Sequence, residues 1–149
     1  MSKLVIALAL SLVALSASAV EVGVTAGRSY AGENRDGGGI TVGEKFGKVG
    51  VTAGFYRATA GANDTDTYSL MASYDVATYG PATFAVKGGG AFVNNQTKED
   101  GYAVIVGAGV SVPVAKQVTV GLDVTRQYGQ DRINSQDGNK IAINAKYSF

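Results

Sequence analysis

The chain has 149 residues, 46% of them hydrophobic, with 13 basic and 12 acidic side chains. A formal charge of +1 offers no basic excess for holding nucleic acid, which sets that class of partner aside. There is no cysteine for a disulfide, and no histidine, the side chain that most often serves as general base or metal ligand.

Residues 1–19 read MSKLVIALALSLVALSASA: one basic residue (Lys3), an apolar run from Leu4 to Leu15, then Ala17-Ser18-Ala19. That is the order of parts in a secretory signal peptide cleaved after Ala19. The apolar run falls short of the roughly 20 residues of a spanning helix, which argues against a permanent anchor. The expected mature chain is therefore 20–149, a single domain in which acidic and basic residues balance.

From Val20 onward, apolar and polar residues alternate with period two, the mark of strands with two unlike faces. Eight segments are expected, at 20–31, 38–46, 48–59, 67–77, 82–93, 101–112, 117–128 and 139–149. The first sets Val22, Val24 and Ala26 against Glu21 and Thr25; the second sets Ile40 and Val42 against Lys45. In the third, Val49, Val51, Ala53 and Phe55 oppose Thr52 and Tyr56. The fourth has Tyr68, Leu70, Ala72, Tyr74 and Val76 opposite Ser69, Ser73 and Asp75. Phe84, Val86 and Phe92 oppose Thr83 and Lys87 in the fifth, and Tyr102, Val104, Val106, Ala108, Val110 and Val112 form one face of the sixth. The seventh carries Val118, Val120, Leu122 and Val124 against Thr119, Asp123 and Thr125. The eighth closes the chain with Ile141, Ile143, Ala145, Tyr147 and Phe149 against Asn144 and Lys146.

This pattern predicts an all-β fold, a closed eight-stranded antiparallel up-and-down barrel. Such a barrel can turn its apolar face inward around a ligand, as a secreted lipocalin-like protein does, or outward into lipid. Three features favour lipid and hence a transmembrane barrel. The connectors KFGK (45–48), ATYGPA (77–82) and PVAKQ (113–117) are tight. GENRDG, AGANDTD, NNQTKED and GQDRINSQDGN are longer and polar, the alternation of periplasmic turns with external loops. Aromatic residues gather at segment ends: Tyr30, Phe55, Tyr68, Phe92, Tyr102 and Tyr128 towards the long loops, and Phe46, Tyr74, Tyr79, Phe84, Tyr147 and Phe149 towards the short turns. Two such girdles suit two lipid–water interfaces. Finally, Glu21, Asp75 and Asp123 share the polar face with Lys45, Lys87 and Lys146. An eight-stranded lumen is barely wide enough for side chains, so these six charges are expected to pair into a plug.

With those segments in place, the chain resembles the small eight-stranded outer-membrane proteins of Gram-negative bacteria, across all of 20–149. The most specific element is AINAKYSF, similar to the C-terminal signal of that family, with Ile143, Ala145, Tyr147 and Phe149 at its alternating positions. The resemblance implies an outer-membrane location, with periplasmic chaperones and the barrel-assembly machinery as partners during biogenesis. Outer-membrane lipid and lipopolysaccharide would surround the barrel, and a monomer is the expected state.

No enzymatic activity is expected. The barrel enzymes of the outer membrane depend on histidine, and Ser69, Ser73 and Asp75 read as lumen fillers. The glycine runs at 36–40 and 87–91 lack the Gly-Lys-Ser/Thr end of a phosphate loop. The acidic stretches at 63–67, Glu99-Asp100 and Asp131/Asp137 lack a calcium-loop ligand pattern, so neither metal nor cofactor is expected. Arg28, Arg57 and Arg126 have outward parity near the long-loop ends, beside the girdle aromatics. Such arginines snorkel to the interface or grip lipopolysaccharide phosphates through paired hydrogen bonds. The expected role is envelope integrity or surface interaction, with a narrow channel for very small solutes as the rival.

Overall fold

A computed structural model of the chain describes residues 20–31, 33–61, 63–95, 100–129 and 137–149; the expected signal peptide of residues 1–19 lies outside the described residues. Eight strands follow in chain order: β1 (Val20–Ala31), β2 (Glu33–Phe46), β3 (Val49–Ala60), β4 (Asn63–Tyr79), β5 (Ala82–Asn95), β6 (Gly101–Ala115), β7 (Val118–Gly129) and β8 (Gly138–Ser148). Each pairs antiparallel with the next, and β8 pairs with β1, so the sheet is a closed barrel. The last residue joins the closure: the Phe149 amide donates to the Val20 carbonyl at 3.1 Å. No strand edge is left to recruit another chain.

The ladder also fixes the barrel's shape. Followed from Val20 through Glu44, Val51, Ala72, Gly88, Val106, Arg126 and Asn139, it returns to β1 at Tyr30, ten residues further along. A stagger of ten over eight strands tilts each strand by about 40° from the barrel axis. Strands of 11 to 17 residues at that tilt outreach an apolar layer of about 25 Å.

The apolar face points outward. Val24 (59% exposed), Ile40 (63%), Leu70 (53%) and Ile143 (62%) lie on the outer surface. Inside, the buried apolar residues among those described are Tyr56, Ala58, Ala91, Val93, Ala103 and Ala142, too few and too small for a soluble protein's core. The inward-apolar, lipocalin-like arrangement is not the one adopted. A continuous apolar outer belt of this kind is stable only when covered, and lipid covers it on all sides.

The tight connectors are as short as expected, with Gly47 (φ 62°) and Gly80 (φ 57°) supplying the left-handed backbone that two-residue hairpin turns favour. At the other end the expectation fails for two connectors. GENRDG and AGANDTD are mostly strand, because β1 runs to Ala31 and β2 begins at Glu33, while β3 runs to Ala60 and β4 begins at Asn63. Polarity there marks strand that projects beyond the apolar layer. Its polar residues pair across the ladder, as Asp36 does with Arg28, Asp66 with Arg57 and Asp64 with Thr59. The stretch at 63–67 is therefore strand as well. The other two long connectors include 96–99 and 130–136, outside the described residues.

Two irregularities sit near the end that holds the termini. In β4 the register shifts between Asp75 and Ala77, so Asp75 keeps the inward parity of Ser73 while Tyr79, four residues on, turns outward and is 84% exposed. One extra residue flips every later side chain to the other face. In β6 the shift falls between Pro113 and Ala115, where proline has no amide to give the ladder.

Candidate functional site

Because inward side chains alternate along every strand, the lumen is built in tiers. In the tier nearest the termini, Lys45 Nζ lies 2.6 Å from Asp75 Oδ2, and Lys146 Nζ lies 3.1 Å from Glu21 Oε2. Above it, Lys87 Nζ lies 2.5 Å from Asp123 Oδ1, while Asn144 Nδ2 donates to Asp123 Oδ2 at 3.0 Å. The six polar-face charges of the sequence thus come together as three pairs. Lys87 and Asp123 are only 19% and 22% exposed, so their attraction is poorly screened.

Higher still lies a group that the sequence reading did not single out. Lys140 Nζ sits 3.9 Å from the centroid of the Tyr56 ring, a cation–π distance. Tyr56 has the inward parity expected of it, is buried, and its hydroxyl donates to the Gly27 carbonyl at 2.8 Å. Arg35, also buried, donates through one terminal guanidinium nitrogen to Thr65 Oγ1, which also accepts from Asn95 Nδ2 at 3.3 Å. A cavity of about 170 Å³ runs between these groups and the Lys87–Asp123 tier. Extending the parity of Lys146 and Asn144 back along β8 reaches Lys140; Arg35 was hidden in a stretch read as loop.

On the outer surface, the climb of the ladder brings Arg28, Arg57 and Arg126 to one height, on β1, β3 and β7. Arg28 Nε and Nη2 donate to the two carboxylate oxygens of Asp36 at 2.6 and 2.8 Å. Arg57 grips Asp66 in the same way at 2.6 and 2.7 Å. The guanidinium of Arg126 lies 5.2 Å from the Tyr128 ring centroid and forms no salt bridge among the described residues. Beside these arginines, Phe55, Tyr68, Phe92 and Tyr102 stand in register on four consecutive strands, with ring centroids 5.2 Å apart for the first two and 5.4 Å for the last two. At the opposite end, the rings of Tyr147 and Phe149 meet at 4.9 Å, and Tyr147 donates to Gln117 Oε1 at 2.9 Å. Ile143 and Ala145 precede them on the outward face of β8.

This geometry can neutralise, bridge and occlude. Its lumen ammonium groups are engaged by carboxylates or an aromatic face, which suits them poorly to nucleophilic work.

No protein-family model matches the sequence, and a comparison with curated proteins finds no match. Solved structures do match the fold. The crystal structure of Neisserial surface protein A superposes with a TM-score of 0.69 at 15% identity, over 90% of this chain and 98% of that one. A de novo designed transmembrane β-barrel gives 0.54 at 16% identity, over 90% and 98%. The attachment invasion locus protein Ail of Yersinia pestis gives 0.54 at 14% identity, over 89% and 97%. Ail has also been solved as an outer membrane protein in a phospholipid bilayer nanodisc. The chain therefore has the fold of the small eight-stranded transmembrane β-barrels of the bacterial outer membrane.

Proposed function

We propose that this protein is a monomeric, non-enzymatic resident of the outer membrane whose lumen is closed by paired charges, and that it serves envelope integrity or surface interaction. The observation that carries the reading is the stack of three lysine–carboxylate pairs across a lumen only eight strands wide. An ion entering it must displace fixed partners held at 2.5 to 3.1 Å, at a cost that rises steeply in a low-dielectric interior. Reconstituted into planar bilayers, the purified barrel should show no steady conductance. Discrete, lasting current steps would replace this reading with that of a narrow channel.

The outer arginines extend the proposal to lipopolysaccharide. Arg28, Arg57 and Arg126 stand at the height of the external girdle, where lipid phosphates lie. A guanidinium that grips Asp36 or Asp66 through two parallel bonds presents the same fork to a phosphate only by giving up its carboxylate. Arg126 has no such competitor among the described residues and is assigned the leading contact. Ile143, Ala145, Tyr147 and Phe149 are proposed as the segment read by the barrel-assembly machinery after periplasmic chaperones deliver the chain. Their support is the match of spacing and the terminal aromatic.

A further inference from the structure

On the inward face, one rung of the ladder reads Thr125, Lys140, Ser29 and Arg35 across β7, β8, β1 and β2. Two cations alternate with two hydroxyls, and no carboxylate stands in the row. The carboxylate two residues along β7, Asp123, already gives Oδ1 to Lys87 and Oδ2 to Asn144. Glu21 and Asp75 are committed to Lys146 and Lys45 near the termini. Lys140 therefore forms no salt bridge among the described residues; its ammonium rests on the Tyr56 ring and faces the cavity. A part-buried ammonium to which the described residues offer a π-face and no carboxylate is an incomplete arrangement, since a buried charge is costly unless an opposite charge or several hydrogen bonds meet it.

We propose that the upper lumen is a binding site for a small free oxyanion of the phosphate or sulfate type, with Lys140 as its central cation. A cavity of about 170 Å³ has room for such an ion together with several waters. Ser29 and Thr125, the ladder neighbours of Lys140 on either side, line the same cavity and offer hydroxyl donors to an ion held there. Oxyanions accept several charge-assisted hydrogen bonds at once, which is what this row supplies. The phosphates of membrane lipids lie outside the barrel wall, so the ligand is a free solute. The inference does not rest on the closed-lumen reading, since a conducting barrel could bind the same ion.

The test is a titration of the refolded mature chain in detergent micelles with inorganic phosphate and with sulfate, against sodium chloride at equal ionic strength. It is followed through the backbone amide resonances of Ser29, Thr125, Gly138 and Lys140. Saturable shifts confined to this rung are expected, with the dissociation constant raised at least tenfold by Lys140→Gln and restored to within about threefold by Lys140→Arg. Shifts that merely track ionic strength, or a Lys140→Gln barrel that titrates like wild type, would overturn the proposal. Should Lys140→Gln not fold, the wild-type titration decides alone: saturation on this rung supports the site, and its absence refutes it.

Discussion

At Asp123 one carboxylate serves two partners, the Lys87 ammonium and the Asn144 amide. All three side chains could be assigned to the lumen from the sequence, because parity along a strand decides which face a residue takes. Parity could not say which lysine meets which carboxylate; that follows from the ten-residue stagger of the ladder, which no local pattern reveals. The same limit hid the partners of Arg28 and Arg57. Asp36 and Asp66 lie in stretches whose polarity resembled loop, so parity named neither as a partner; β2 and β4 extend through those stretches and set each carboxylate opposite its arginine. The pairing carries a consequence for lipopolysaccharide binding. Replacing Arg126 with glutamine should weaken binding by about ten- to a hundredfold, in line with loss of a charge-assisted hydrogen bond worth roughly 1.5–3 kcal/mol. Arg28→Gln and Arg57→Gln should each cost less, because a phosphate must first displace Asp36 or Asp66. A triple variant that binds lipopolysaccharide as wild type does, measured by surface plasmon resonance on the micellar protein, would reduce all three to interfacial anchors.

In β5 the run Gly88-Gly89-Gly90 is uniform in sequence, yet the strand treats its three residues differently. Gly88 and Gly90 face outward, where an added Cβ meets nothing closer than 3.9 Å. Gly89 faces inward, where a Cβ would run into the Leu70 carbonyl and come within 2.8 Å of Met71 Cα. Gly89→Ala is expected to destabilise the barrel by about 1–3 kcal/mol in urea titrations, the usual scale of overpacking. Gly88→Ala should be neutral or stabilising by up to about 1 kcal/mol, through the reduced freedom of the unfolded chain. Equal effects would mean that the inward crowding relaxes freely. On β8 the corresponding question concerns Phe149, whose amide closes the sheet onto Val20 while its ring, 74% exposed, touches Tyr147. One backbone bond and one ring contact contribute little to stability. Deleting Phe149 should therefore lower the yield of assembled barrel in cells far more than it shifts the unfolding midpoint of barrels that form. An unchanged yield would leave Phe149 as a girdle aromatic alone.

For the whole molecule, strand number, closure and the outward apolar face were all legible, because period-two alternation repeated eight times admits few other folds. Connection lengths were less so. The expected contrast between short turns and long loops fails at β1–β2 and β3–β4, where the strands run on past the apolar layer, β2 from Glu33 and β4 from Asn63. Period and polarity report the thickness of the lipid-facing band; they do not report where hydrogen-bonded pairing stops once both faces meet water. The account rests on that band being covered by outer-membrane lipid. Fractionation of expressing cells, with the outer-membrane fraction run on a gel unheated and boiled, tests this most directly. The protein should be found in the outer-membrane fraction, migrating as a compact species when unheated and shifting to its full apparent mass on boiling. Recovery in the soluble periplasmic fraction, with one mobility under both conditions, would contradict it.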